Sequence, residues 1–374
     1  MREQKNAFVI GGGPAGLVAA IALRRKGLRV TVADGGDAPS DKACGEGILP
    51  EGLAALEWLG IALDWSEGQA LRGIRFVNST HSAQAEFRSR AGLGMRRIVL
   101  HQQLIHAAER AGVSLLWRAP VTRISQGSVF AAGKEFQADW IVGADGFRSL
   151  VRDWVGLTPR RSASLRYAFR QHFRLRASGA RAPWSDFVEV HWAESAQLYV
   201  TPVSEREVGV VVLSRNPRLR LADALPLFPQ VQALLAGCNA TTAERGASTG
   251  TLILPRVTAG NVALVGDASG TVDAITGEGM SLAFLQAEAL ADAIESGNLA
   301  QYETAHARLR RRPILMARAL LAMENRAWAQ ERVLRIFAAE PELFQRMLSA
   351  HTGETSSFGF ASAGARLGLR LLFA

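Results

Sequence analysis

The stretch that most limits how this chain can fold is Ala7–Val32, AFVIGGGPAGLVAAIALRRKGLRVTV. A short apolar run, Ala7–Ile10, breaks at Gly11-Gly12-Gly13-Pro14-Ala15-Gly16. A helix of small residues follows to about Lys26, Gly27 ends it, and Arg29–Ala33 reads as a second buried strand closed by Asp34. Strand, glycine turn, helix, strand and an acidic residue 18 positions past the last motif glycine make a unit suited to a dinucleotide. Gly11 permits the tight turn, Gly13 lets backbone approach a pyrophosphate, and Gly16, with Ala19 and Ala20, lets the helix sit close on the sheet. The N-terminus of that helix offers free N–H groups and a positive dipole end to the phosphates. Asp34 is placed to accept hydrogen bonds from ribose hydroxyls. A glycine-rich turn without a ligand is the rival reading, and the complete unit argues against it.

Composition excludes more than it selects. A chain of 374 residues can bury a large core in one or two domains. No run of 18 uncharged apolar residues occurs, so no spanning helix is expected. The first strand begins by Ala7, which leaves no room for an N-terminal signal peptide. Cys44 and Cys238 form neither a CxxC pair nor a disulfide framework. Seven scattered histidines without an HxxxH spacing predict no metal site. A cytoplasmic location is the expectation. Net charge is +9, carried almost wholly by arginine, with four lysines among 43 basic residues. These arginines are spread through predicted helices and strands, so nucleic acid is not the expected partner. A flavin, a nicotinamide phosphate, an acyl carrier or a membrane surface would use the same field.

Beyond Asp34 a loop, Gly35–Leu49, carries Lys42-Ala43-Cys44-Gly45-Glu46-Gly47, and a helix is predicted over Glu51–Leu59. Arg72–Val77 and Ala83–Phe87 alternate as a hairpin, and Leu100–Ala111 reads as a helix ended by Gly112. Short strands are predicted to Gln137, and Trp140–Ala144 is a buried strand running into Asp145-Gly146. Composition changes near Pro159. Leu165–Arg176 then alternates, with Leu165, Tyr167, Phe169, Phe173 and Leu175 on one face and Arg166, Arg170, Arg174 and Arg176 on the other. Strands at Phe187–Trp192, Gln197–Pro202 and Val208–Leu213 complete a mostly antiparallel sheet. Val262–Gly266 returns to the buried-strand pattern, and a helix is predicted from about Gly279 to Glu295. Helices follow to about Ala350, with Pro313 and Pro341 as expected breaks.

Three separated signals share one order: the opening fingerprint, Trp140–Ser149 with its Asp-Gly, and Asn261–Gly270 followed by Asp273–Met280. In that order and spacing the chain resembles the flavoprotein monooxygenase superfamily of the p-hydroxybenzoate hydroxylase type. Geranylgeranyl reductase-like enzymes and flavin-dependent halogenases are relatives within it. The resemblance implies an α/β fold: a Rossmann-like FAD-binding domain over 1–158 with a β-hairpin excursion near 70–95, and an inserted, mostly antiparallel β-sheet substrate domain over 159–255. A return to the FAD-binding domain over 256–297 and a helical C-terminal region over 298–374 complete it. It further implies that Gly11, Gly13 and Gly16, with Pro14 and Ala15, hold the FAD pyrophosphate and Asp34 the adenosine ribose. Arg97 takes the position of a FAD-contacting arginine, with His101 where an acidic residue is usual. Val121 falls where backbone meets adenine. Asp145-Gly146 would serve FAD and a passing NAD(P)H, and Gly266-Asp267 the ribityl chain. Thr276-Gly277-Glu278-Gly279-Met280 puts free N–H groups at a helix start, where they stabilise negative charge on a reduced flavin.

That last loop, and Lys42–Pro50 with Lys42 and Cys44, look more like the geranylgeranyl reductase branch. Leu198-Tyr199-Val200-Thr201-Pro202 lacks the tryptophan and phenylalanine of that branch's substrate motif. Cys44, Glu46 and Glu278 are weak catalytic candidates. His172 and His191 read as exposed or satisfied. Tyr167, Phe169, Tyr199, Thr201 and Pro202 are the expected substrate pocket, with the apolar face of Leu165–Leu175 turned to pocket or core and the arginine face away. The preferred reading is an FAD-dependent oxidoreductase in which NAD(P)H reduces the flavin transiently and a flavin C4a-hydroperoxide hydroxylates an aromatic or polyketide-like small molecule, free or carrier-bound. The rival is an FAD-dependent reductase acting on C=C bonds. The amphipathic tail Phe358–Ala374 is a candidate for weak membrane-surface contact.

Overall fold

The structure is a computed structural model that describes residues 4–125, 127–159, 164–176, 186–324, 326–354 and 357–373. The expected boundary near Pro159 adjoins residues 160–163, which lie outside the described residues. The chain opens with β1 (Asn6–Ile10), α1 (Pro14–Arg25) and β2 (Arg29–Ala33). Next come α2 (Pro50–Trp58), the hairpin β3 (Gly73–Val77) and β4 (Ser82–Glu86), and α3 (Arg97–Arg110). β5 (Ser114–Leu116), β6 (Trp140–Gly143) and α4 (Leu150–Trp154) follow. The inserted strands are β7 (Ser164–Arg174), β8 (Phe187–Trp192), β9 (Ala196–Ser204) and β10 (Glu207–Ser214). α5 (Leu221–Ala224), α6 (Pro229–Leu235), β11 (Asn239–Ala240) and β12 (Arg245–Thr251) complete that part. β13 (Thr258–Ala259), β14 (Val262–Leu264) and α7 (Gly279–Glu295) return to the first sheet. α8 (Leu299–Met323), α9 (Ala327–Ala339), α10 (Pro341–His351) and α11 (Ser357–Phe373) end the chain.

The first sheet runs β13-β14-β6-β1-β2-β5, parallel except for the β13–β14 pair. Its strands are apolar along their length, as a sheet covered on both faces requires, and Phe8, Val9, Val32, Val142 and Leu264 are buried. α1 sits low on it because Gly16 has no side chain: a Cβ there would lie 1.9 Å from the Gly11 carbonyl oxygen. Phe284, Ala287 and Leu290 of α7 join the same core, and the Tyr302 hydroxyl donates to the Leu264 carbonyl at 2.6 Å.

The second sheet runs β11-β7-β10-β9-β8-β3-β4, with β12 also on β7. The 73–86 hairpin, expected as an excursion of the first domain, is therefore the far edge of the second sheet, joined through the parallel β3–β8 pair. Residues of β7, β9 and β10 alternate between two covered faces. On one face Phe169, Leu198, Val200, Val208, Val210 and Val212 pack with Leu221, Phe228 and Val231 of the short helices. The other faces the first domain, and it holds Arg166 and Arg170, both 0% exposed. The apolar face of β7 packs on a core, as expected, but the arginine face does not turn wholly away: Arg166 and Arg170 are buried, while Arg174 and Arg176 are exposed, as is Leu165 at the strand's start, at 44%. The reason is charge pairing from distant segments: Asp41 and Glu46 meet Arg170, and Asp273 and Glu324 meet Arg166.

α8 runs through Pro313, contrary to the expected break, whereas Pro341 does open a new helix, α10. Pro313 is buried, so packing holds the turn that its missing N–H weakens. Phe337, Phe344 and Phe76 stack across α9, α10 and β3, at centroid distances of 4.6 and 5.2 Å. Ala363, Leu367 and Leu371 of α11 pack into this cluster, and Arg366 and Arg370 pair with Glu340. Among the described residues no helix is long and apolar enough to cross a membrane.

Candidate active site

A cavity of about 810 Å³ lies where the two sheets and the C-terminal helices meet. At one end it is lined by Gly11, Gly13, Pro14, Ala15, Asp34, Arg97, Val121, Asp145 and Gly146, and in the middle by Lys42, Cys44, Gly266, Asp267, Gly277, Gly279 and Met280. Every expected cofactor residue except Gly16, which lies under the turn, therefore faces one continuous space.

Local bonding explains the shape of that end. Gly11 has φ +108°, and a Cβ on it would lie 2.4 Å from the Ala144 carbonyl oxygen. Gly13 is different: a Cβ there would meet only the Arg97 Nη2, at 3.9 Å, so its surface is open to the cavity. Asp34 accepts from the Gly12 N–H at 2.7 Å and the Gly36 N–H at 2.8 Å, which fixes its carboxylate against the turn. His101 Nε2 donates to the Gly12 carbonyl at 2.6 Å while its Nδ1 accepts the Ser40 N–H at 2.9 Å. Both bonds require the neutral ring, and burial brings its pKa down to about 4. His101 thus pins the glycine turn to Ser40 of the Gly35–Leu49 loop, a role that its spacing alone did not disclose.

The buried Arg97 gives its backbone N–H to Glu46 Oε1 at 2.8 Å, but its Nη1 has no partner, and burial works against its charge. An unpartnered guanidinium N–H beside an open glycine turn and a helix N-terminus fits an anionic diphosphate. Asp145 caps α4 through Ser149 Oγ at 2.6 Å and the Val151 N–H at 3.1 Å. Asp267 opens onto the cavity, and desolvation by the surrounding protein raises its pKa against the opposing pull of Lys42. Beyond it, Asp273 Oδ1 accepts the Ile275 N–H at 3.1 Å and Gly277 turns left-handed at φ +69°. Nothing lies within 4 Å of a Cβ built on Gly277 or Gly279, so backbone at the α7 start faces the cavity unshielded.

Behind this lining is a buried charge network. Glu46 accepts from Arg170 Nη1 at 2.5 Å and approaches His172 Nε2 at 2.7 Å, and Arg170 Nη2 reaches both Asp41 oxygens at 2.8 and 2.9 Å. Glu46 is therefore held in ion pairs on the sheet side. His172 and His191 are satisfied, the latter by Glu189 at 3.0 Å. The Cys44 thiol is pushed up in pKa, first by burial and then by Glu46, which keeps it protonated. Tyr199 donates to the Ile275 carbonyl at 3.2 Å and Thr201 to the Gly45 carbonyl at 2.8 Å, tying the two cavity loops to β9. Tyr199 and Thr201 line the cavity. Tyr167, Phe169 and Pro202 do not. Tyr167 and Phe169 lie on the opposite face of β7, against the short helices, and Pro202 sits over the Gly94 backbone.

The far end of the cavity is walled by Phe76, Val190 and Trp192 from the sheet and by Leu320, Phe337 and Met347 from the helices. The helical wall went unrecognised in the sequence because a helical apolar stripe reads the same whether it faces a core or a chamber.

An α/β dinucleotide unit wrapped around such a cavity defines a flavin-dependent oxidoreductase. Residues 4–306 match the FAD binding domain family, and the chain belongs to it. A menaquinone reductase of Mycobacterium tuberculosis is 25% identical over 322 residues, covering 80% of this chain and 78% of that protein. A putative 2-heptyl-3-hydroxy-4(1H)-quinolone synthase of Rhodococcus erythropolis is 30% identical over 306 residues, covering 77% and 79%. Among solved structures, a flavin-dependent brominase superposes with TM-score 0.79 at 18% identity, covering 94% of each chain. A geranylgeranyl bacteriochlorophyll reductase-like protein of Thermoplasma acidophilum superposes with TM-score 0.75 at 18% identity, covering 96% of each.

Proposed function

We propose that this FAD-dependent oxidoreductase is an NAD(P)H-driven monooxygenase that hydroxylates a lipophilic aromatic small molecule. FAD would lie along Gly11–Gly16, Asp34, Arg97, Asp145 and Asp267, with its ring end at Gly277–Met280, and would supply the redox chemistry. The observation that carries the reading is the far chamber. It opens directly from the α7 start and is walled by aromatic, aliphatic and methionine side chains. Such a wall favours an apolar substrate and keeps bulk water from the ring, and methionines adapt to a hydrocarbon chain. The relatives named for menaquinone and for a heptyl-quinolone act on molecules of that character. The donor would be a passing nicotinamide, since the sequence holds no second GxGxxG.

A second reading, reduction of a quinone or alkene without oxygen, is favoured by the open glycine backbone at the α7 start and by the menaquinone reductase relative. Turnover with a 2-alkyl-4-quinolone panel under isotopically heavy dioxygen separates the two. Label in the product supports hydroxylation. Unlabelled reduced product formed equally well without oxygen overturns it in favour of the reductase.

A further inference from the structure

Beside the α7 start lies a second cluster of buried titratable groups that the cofactor site does not use. His351, at the end of α10, lines the cavity. Its Nε2 lies 3.1 Å from the Thr276 carbonyl oxygen. A carbonyl only accepts, so the proton sits on Nε2. Burial disfavours the charged ring, which leaves the Nδ1 lone pair free. That Nδ1 lies 3.5 Å from Glu278 Oε1, with both side chains almost wholly buried. Nδ1 and Glu278 Oε2 have no hydrogen-bond partner, and neither has the buried Glu51 Oε2. Glu51 belongs to the first turn of α2, which presses on the start of α7: a Cβ on Gly52 would lie 2.4 Å from Ser281 Oγ. Glu278 also lines a pocket of about 20 Å³, room for one water, which shares much of its wall with the main cavity and is also lined by Asp267 and Gln286.

We propose that His351 is a proton donor to substrate in the main cavity and that Glu278, fed from Glu51 and the water-sized cavity, replaces the proton that His351 gives up. The proposal rests on the oxidoreductase reading above, since reduction and oxygen insertion both consume protons in the cavity. The transfer balances. The Nε2–H gives up its bond to the Thr276 carbonyl for one to a basic atom of bound substrate, and the N–H bond breaks as the proton passes across. The Glu278 carboxylic proton forms the new N–H bond at Nδ1, Glu278 is left a carboxylate until Glu51 or water reprotonates it, and proton exchange through water between the two ring nitrogens restores the Nε2–H tautomer. The electrostatics suit this direction. Burial raises Glu278 to about 8 and Glu51 to about 7, so both hold protons near neutrality. The charges facing the cluster are the two glutamates, His351, and Arg312 of α8, which favours the carboxylates without neutralising the burial. With Glu278 titrating near 8, donation is present below that pH and lost above it.

Two measurements on the FAD-loaded protein test this. Infrared spectroscopy at neutral pH should show a protonated-carboxyl C=O band that disappears in Glu278→Gln and titrates away in the parent near pH 8. Absence of any band lost in Glu278→Gln overturns the proposal. In parallel, the protein is reduced with dithionite and reoxidised with menadione across pH. The parent rate should fall above about pH 8, whereas Glu278→Gln and His351→Gln should be at least tenfold slower and lack that fall. A parent-like profile in either variant overturns it. Should Glu278→Gln not fold, Glu51→Gln is expected to slow reprotonation and a parent-like rate in it counts against the relay. If menadione fails to reoxidise even the parent, the proposed substrate class is at fault, and the infrared band still decides the relay.

Discussion

The Glu46 carboxylate lies 2.7 Å from His172 Nε2, joining residues 126 positions apart across the face of the large sheet. The same carboxylate holds Arg170 and the Arg97 N–H, so one buried side chain ties β7, the 41–47 loop and the start of α3 together. Removing one partner of a buried pair leaves the other charge uncompensated, typically at a cost of about 3–5 kcal/mol. Asp41 still holds Arg170 if Glu46 is lost, so Glu46→Ala should fall at the lower end, about 3 kcal/mol. Glu46→Gln keeps an acceptor for Arg97 and should cost less. Urea unfolding midpoints with an unchanged slope check the ordering, and flavin retention on gel filtration should fall in the same order.

The glycines of the turn should separate into two kinds. Gly11→Ala and Gly16→Ala force a Cβ against backbone at 2.4 and 1.9 Å, and each should destabilise the apoprotein by roughly 2–4 kcal/mol. Gly13→Ala has open space around it, so the apoprotein should melt within about 0.5 kcal/mol of the parent. Its methyl would occupy the diphosphate space, and FAD should bind at least tenfold more weakly. Apoprotein melting and flavin titration together read this contrast. Equal FAD affinity in Gly13→Ala would remove the turn from the cofactor site.

His101 makes stability pH-dependent in a defined direction. Its pKa is about 4 in the fold against an ordinary 6.5, so the unfolded chain binds the extra proton first. A depressed histidine therefore contributes stability that is fully present above about 6.5 and is lost as pH falls towards 4. The displacement corresponds to at most roughly 3 kcal/mol. His306, brought down to about 3 by burial, acts in the same sense. Unfolding free energies at pH 7.5 and 5 should differ less in His101→Asn than in the parent, and least in a His101→Asn, His306→Asn double variant. An undiminished difference in His101→Asn would mean that the ring is not the neutral clamp on Gly12.

The loops that line the cavity were legible because their residues are local in sequence: Gly11–Gly16, Asp145-Gly146 and Gly277–Met280 each carry their geometry within a few positions. The burial of Arg166 and Arg170 on β7 was not. Period two announces two different environments without saying which is wet, and arginines ordinarily mark the wet one. Here both faces are covered, and the acids that neutralise Arg166 and Arg170 lie more than a hundred positions away in the chain. The roles of His101 and His351 escaped for the same reason. A lone histidine has no pattern, and its role is set by which carbonyl or carboxylate the fold brings to it.

The apolar chamber gives the proposed substrate class its most direct test. Leu320 of α8 faces it together with Phe76, Trp192 and Phe337, at a distance in sequence and space from the glycine turn. Leu320→Trp fills the chamber with an indole while leaving Gly11–Gly16 and Gly277–Met280 untouched. The variant should take up FAD with parent affinity and show the parent flavin spectrum. Binding of 2-heptyl-4-quinolone, followed as a perturbation of that spectrum, should weaken at least tenfold, whereas unsubstituted 4-quinolone should bind as in the parent. The heptyl chain, and not the ring, is what the chamber recognises in this reading: burying seven methylene-sized groups at about 0.8 kcal/mol each far exceeds the roughly 1 kcal/mol net of a hydrogen bond from the ring to a hydroxyl such as Tyr199, already bonded to Ile275. If both quinolones weaken equally, the indole has displaced the ring site and the chamber is not a chain pocket. If neither weakens, the substrate lies elsewhere and the lipophilic reading fails.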